Sequence, residues 1–238
     1  MNKEKYLIPL SIVIAGVLVA LAVILSPVIW KDKNQIKENS QTQTESQKQW
    51  EELVKNFRLP DKTDWIRGDL NQAQVIFVEY SDLECPFCKR FHQTMKKAIE
   101  KYGPKIAWVY RHFPIETLHS KAMSESIAAE CVGLLGGNQA FWQYIDKIFE
   151  ITPSNDGLDL NLLPQLAKEI GIDLNKFNDC YTKKQTQEKI KTQIKEAVEI
   201  GVRGTPFTLI LFGDQKIPLP GHVEFEILDN NFLSKVIQ

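Results

Sequence analysis

The chain has 238 residues, with 29 Lys and Arg against 30 Asp and Glu and a formal charge of −1. That balance argues against a nucleic-acid or other polyelectrolyte partner, and the length allows one substantial domain plus appendages. Residues 6–30 carry no charged side chain. As a helix they would span roughly 37 Å, enough for a hydrocarbon core of about 30 Å. The expectation is a single-pass transmembrane helix bounded by Tyr6 and Trp30, with residues 1–5 as a cytoplasmic N-terminus. A cleaved signal peptide is the competing reading. Its apolar region is normally shorter, about 7–15 residues, and ends at a small-residue site that Ser26-Pro27-Val28-Ile29-Trp30-Lys31 lacks. Lysines flank both ends of the span, so charge alone does not orient it.

Residues 31–58 read as a flexible linker, polar through Lys48 and with a short helix expected from Trp50 to Phe57. Residues 59–238 form the expected globular domain, its ordered part starting near Asp64. Val75 to Tyr80 is apolar on both faces apart from Glu79, the mark of a central strand covered on both sides. A helix follows from Pro86 to about Lys101, with Phe91, Met95 and Ile99 recurring every four residues. Tyr102-Gly103-Pro104 stops it, and Ile106 to Tyr110 reads as the next strand. This β-α-β order implies a parallel pair with a right-handed crossover.

A helical insertion is expected over about 115–200: Ser120 to Leu135, Ala140 to Phe149, Leu160 to Ile170, and one long helix from Leu174 to about Ile200. In the last, Ile190, Ile194 and Val198 form a stripe to pack on the core. Phe207 to Phe212 reads as a strand after Gly204-Thr205-Pro206, turning at Gly213-Asp214 into an edge strand from Lys216 to Leu219. Val223 to about Val236 closes the chain as a helix.

The chemistry centres on Cys85-Pro86-Phe87-Cys88, two thiols three positions apart at the start of a helix. Unpaired N–H groups and the positive end of the helix dipole favour a thiolate there, and proline suits the first helical position. The same spacing also makes half of a zinc site, but His92, His112, His119 and His222 show no metal-ligand spacing. Lys89 and Arg90 read as a solvated helix face, help in stabilising negative charge near the helix start being the alternative.

Ser81-Asp82 before Cys85-Pro86-Phe87-Cys88, a helical insertion after the second strand, and Gly204-Thr205-Pro206 opening the third together resemble the DsbA-like branch of the thioredoxin superfamily. The resemblance covers about residues 64–238 and implies an α/β thioredoxin fold with a helical insertion. It implies that Cys85 is the exposed nucleophile and Cys88 the buried partner of a redox-active disulfide. It also implies a cis Pro206 beside the sulfurs, leaving the Thr205 backbone free for an extended substrate, with the Thr205 hydroxyl aimed at Cys85. Glu79 is then an acid buried beneath the active site that exchanges the Cys88 proton, an edge position reaching water being the alternative. Cys131 and Cys180, on separate helices, are implied to form a structural disulfide, buried free thiols or zinc ligands joined with Cys85 and Cys88 being the alternatives.

The resemblance implies a thiol:disulfide oxidoreductase that introduces disulfides into exported proteins through Cys85 and Cys88, without cofactor or metal. Its partners would be unfolded exported chains with free cysteines and a membrane reoxidase of DsbB or VKOR type. Its catalytic domain would be a monomer facing the periplasm or cell exterior. Phe87 offers no charge and Glu84 adjoins Cys85, so a weaker oxidant than the strongest members is expected. A reductase or isomerase of the same fold is the alternative, and a non-catalytic binding or metal-carrier module is the alternative from another class.

Overall fold

A computed structural model describes residues 48–237. The expected N-terminus, the span at 6–30 and most of the linker lie outside the described residues, among which no helix is long and apolar enough to cross a membrane.

Five strands form one mixed sheet. They are β1 (Trp65–Arg67), β2 (Val75–Ser81), β3 (Ile106–His112), β4 (Phe207–Phe212) and β5 (Gln215–Pro220), in the order β1-β3-β2-β4-β5. β2 lies at the centre, parallel to β3 and antiparallel to β4, which explains its two-sided apolar pattern. Helix α1 (Pro86–Tyr102) makes the crossover between β2 and β3 and buries Cys88, Phe91 and Met95 against the sheet. Four helices stand between β3 and β4: α2 (Ala122–Ile151), α3 (Leu162–Glu169), α4 (Leu174–Thr182) and α5 (Gln187–Glu199). Inside α2, Gly137 adopts φ 77°, ψ −172°, a conformation open to glycine, and kinks the helix where the sequence implies a break.

The sheet separates two cores. Phe77, Trp108 and Tyr110 face α1, α2 and Phe177 of α4. On the other face Val78, Tyr80 and Val109 pack with Ala197 and Ile200. That second core begins earlier in the chain than the expected boundary at residue 59. Residues 48–53 are helical, Val54 and Phe57 are buried against the sheet, and Trp50 Nε1 donates to Lys216 O at 2.7 Å. At least from Trp50 on, the segment read as linker is thus part of the fold, because its few apolar residues cover β4. Next to it, Arg111 and Arg58 each grip Asp64 with two hydrogen bonds of 2.9–3.0 Å, pairing buried charges instead of stranding them.

Three helical expectations need correction. The helix from Leu174 to Ile200 is broken at residues 183–186, where Lys184 takes φ 50° and the Thr186 hydroxyl donates to Ile127 O of α2. The apolar stripe drifts, since steps of four advance roughly 40° beyond a full turn. Ile190 is fully buried, Ile194 partly, and Val198 is 47% exposed, while Gln193 and Ala197 take the inner face. The C-terminal helix is divided into α6 (Phe225–Leu228), a wide turn at Asp229–Leu233 and α7 (Ser234–Val236). Asp229 in that turn accepts from Lys101 and Tyr102, tying the C-terminus to the end of α1.

Cys131 of α2 and Cys180 of α4 are joined by a disulfide, with Cα atoms 5.9 Å apart and a sequence separation of 49. Closing a loop of that size limits the unfolded chain. Replacing both with alanine is expected to lower stability by about 2–4 kcal/mol in denaturant titration, leaving the Cys85 thiol titration unchanged.

Candidate active site

The site is built where β2 ends and α1 begins. Cys85 is the N-cap of α1, with extended backbone (φ −77°, ψ 122°), and Pro86 opens the helix. Asp82 organises the turn between them. Its carboxylate accepts from Glu84 N at 2.9 Å, Ile115 N at 2.8 Å and His119 Nδ1 at 2.9 Å, and its carbonyl accepts from Cys85 N at 3.1 Å. The Asp82 N–H donates to Cys88 Sγ at 3.4 Å.

Both thiols are buried, Cys85 at 4% exposure against the exposed position expected for it, because Thr205 and the start of α1 close over it; their ionisation is nevertheless pushed in opposite directions. Cys85 is lowered from 9.0 to about 6, first by its hydrogen bond with the Cys88 thiol, then by the N–H groups of Cys88 and Phe87 and by the Thr205 hydroxyl. Those N–H groups are orphan donors of the first helical turn, so a sulfur takes the place of the usual capping oxygen. Cys85 is therefore largely thiolate at neutral pH. Cys88 is fully buried, and burial, followed by its neighbour Cys85, pushes it far up.

Pro206 opens β4 after a cis Thr205–Pro206 bond. The Cys85 thiol contacts Thr205 O at 3.5 Å, which brings that loop and the helix start together although 120 positions separate them. Glu79, on central β2 and fully buried, has no edge position and no route to water. Trp108 Nε1 donates to its Oε2 at 2.8 Å, and burial raises it from 4.5 to about 7. The structure brings Cys85, Cys88, Thr205, Pro206 and Glu79 to one end of the central strand.

Several neighbours escaped the sequence reading. Lys89 is not a free surface charge: its ammonium donates to Thr152 O at 2.6 Å and Glu150 O at 3.3 Å, fastening α1 to the end of α2. Arg90 instead lies over the half-exposed Phe87 ring, 4.5 Å from its centroid. Glu84 is fully buried and engages Glu125 of α2, which burial, then Glu84, pushes up to about 10. The Glu125 carboxyl thus holds its proton at neutral pH, and the Glu84 side chain expected beside Cys85 is buried next to it. His119 was legible as a histidine but not as the partner of Asp82, since 37 positions separate them. His92 pairs with Asp146 at 2.6 Å, and among the described residues no cluster is suited to hold a metal.

Because burial holds a proton on Glu79 up to about pH 7, the folded chain keeps a proton that the unfolded chain loses near 4.5. Stability must fall as pH rises across that window. Replacing Glu79 with Gln is expected to improve stability relative to wild type by about 3 kcal/mol between pH 4 and pH 8, measured on the reduced protein. A constant difference at both pH values would show that Glu79 is not held neutral.

Comparison with known proteins gives a consistent result. A family model described as thioredoxin matches residues 61–220. The crystal structure of DsbA2 from Pseudomonas aeruginosa superposes with a TM-score of 0.60 at 28% identity, covering 74% of this chain and 93% of that one. That of alpha-DsbA1 from Wolbachia pipientis gives 0.63 at 25% identity, covering 75% and 93%. Among curated proteins, the Na(+)/H(+) antiporter NhaA 1 of Mycolicibacterium vanbaalenii is 32% identical over 119 residues, 50% of this chain but 18% of the antiporter. The chain thus spans about a fifth of the length of the curated relatives it matches.

Proposed function

This chain belongs to the thioredoxin family, and we propose that it is a thiol:disulfide oxidoreductase that introduces disulfide bonds into exported proteins. The observation that carries this reading is the pair of sulfurs pushed in opposite directions, an acidic Cys85 capping a helix and a buried, proton-retaining Cys88. The likeness to DsbA2 and alpha-DsbA1 in fold and in part in sequence supports it.

In the oxidised protein a substrate thiolate attacks Cys85, forming a mixed disulfide and releasing Cys88. A second substrate thiolate then takes the bond and leaves Cys85 as thiolate. The more stable that thiolate, the stronger the oxidant. Pro206, which has no N–H, leaves the backbone of Thr205 at the rim for an extended, unfolded segment of substrate. Reoxidation falls to a membrane partner of DsbB or VKOR type, and the domain works as a monomer, without cofactor. Localisation outside the cytosol is supported by the Cys131–Cys180 bond, which persists in oxidising compartments, and by the charge-free stretch at 6–30, read as a membrane anchor.

Cys85 at about 6 is less acidic than the strongest oxidants of this kind, near about 3.5, and more acidic than thioredoxin, near about 7. The equilibrium of the Cys85–Cys88 pair with glutathione should accordingly lie between about −270 and about −120 mV. A value at the thioredoxin end would favour a reductase over an oxidase. Cys85→Ser should abolish oxidation of a reduced, unfolded substrate; retained activity would end this reading.

A further inference from the structure

Between the end of α5 and β4 the chain passes through Gly201-Val202-Arg203-Gly204-Thr205-Pro206, the loop that meets Cys85 through Thr205 O at 3.5 Å. Arg203 and Gly204 are exposed, and a Cβ on Gly204 would meet nothing within 4 Å, so the crown of the loop has open space around it. Its ends carry the anchors. Val202 is 1% exposed, and Phe207, the first residue after Pro206, is 9% exposed. Both lie in the buried cluster that Val54 and Phe57 complete.

The segment ahead of β1 supplies that cover with a regular spacing. Trp50, Leu53, Val54 and Phe57 fall at steps of three, one and three, the pattern of one helix face, and residues 48–53 are helical. Leu53 lies against Gly201, where even a Cβ would come within 2.6 Å of it. The Trp50 ring stands 6.4 Å from the Phe207 ring, centroid to centroid, and its Nε1 donates to Lys216 O of β5 at 2.7 Å. These contacts fall before the loop, after it, and on the strand that returns beside it.

Resting on the thiol-exchange reading above, we infer that residues 50–57 are a clamp that positions the Thr205-Pro206 loop for an extended polypeptide, with Trp50 as its principal positioning residue. The clamp packs in the core on the sheet face opposite the one that holds Cys85 and Cys88, so it acts through the loop and not on the sulfurs. A loop held in place beforehand need not be ordered by the substrate as it binds. Released from the clamp, the loop keeps its competent arrangement only part of the time, and the apparent affinity falls by that fraction. A small thiol that attacks Cys85 without pairing along the Thr205 backbone is indifferent to the clamp.

The test uses the full-length oxidised protein and two reductants, a synthetic unstructured peptide carrying two cysteines and dithiothreitol, which has no peptide backbone. Each dithiol becomes a disulfide as the Cys85–Cys88 bond becomes two thiols, and rapid alkylation traps the products. Trp50→Ala is expected to raise the half-saturating peptide concentration about tenfold, with the limiting rate within about twofold and the dithiothreitol rate unchanged. Leu53→Ala should act in the same direction, at a side chain 43% exposed where truncation costs little stability. Trp50→Phe, which keeps a ring against Phe207, should stay near wild type. The double variant Cys131→Ala, Cys180→Ala is the control for lost stability alone and should keep the wild-type half-saturating concentration. An unchanged peptide dependence in Trp50→Ala would overturn the clamp. So would an equal slowing with dithiothreitol, Trp50→Phe as impaired as Trp50→Ala, or the same rise in the control. A wild-type protein that neither reductant reduces would sink the parent reading instead.

Discussion

The site depends on one buried carboxylate at the end of the central strand. Asp82 takes three donors from three places, the turn itself, the loop after β3 and the His119 ring. Each bond removes one way for the strand-to-helix turn to relax. With the turn fixed, the first-turn N–H groups of α1 point at Cys85, and Cys88 is carried inward over Glu79. Without those constraints the same four residues would be a flexible loop carrying two ordinary thiols. Burial alone pushes Asp82 above the usual carboxylate range, against the pull of its donors. Its donors thus compensate for a desolvated group, as a buried carboxylate requires.

The polarity of the site follows from which side of the sheet each group occupies. β2 alternates, so Phe77, Glu79 and Ser81 fall on the face under α1, while Val78 and Tyr80 face the core completed by residues 50–57 and α5. The acid and both thiols therefore share one dry compartment. Arg111 with its partner Asp64 lies on the other face, where Tyr80 accepts from it. This segregation keeps the strongest cation in the core from neutralising Glu79. Trp108, a donor without charge, occupies the position next to the acid instead. A neutral partner leaves burial as the dominant influence, which is why Glu79 rises to about 7.

The helical insertion closes the compartment from the side. Trp142 packs on Trp108 and Tyr110, and Trp65 of β1 lies against α2, where Gly133 leaves room that a Cβ would fill, its nearest approach to the indole being 2.4 Å. Lys89 holds the end of α2 to α1, and Glu84 meets Glu125. The loop after α2 is drawn to the site by Asn155 N donating to Glu84 O at 2.9 Å. Changes in the insertion can therefore reach Cys85 through the residue immediately before it.

Strand β2, helix α1, strand β3, the β4–β5 hairpin and the pairing of two cysteines with a later Thr-Pro were legible because each is written in local pattern: two-sided apolar runs, spaced apolar residues, and Gly or Pro at the breaks. β1 was not, since three residues carry no period; pairing with β3 makes it a strand. Nor was the break at residues 183–186, which contains neither glycine nor proline and is held by a contact to α2. The chain by itself determined the chemistry available, two thiols at a helix start, because that depends on covalent spacing and backbone direction. Only the tertiary structure decided that Cys85 is buried, that Glu79 lies on a central strand instead of an edge, and what Lys89 and Glu84 touch, because desolvation and pairing arise from residues distant in sequence.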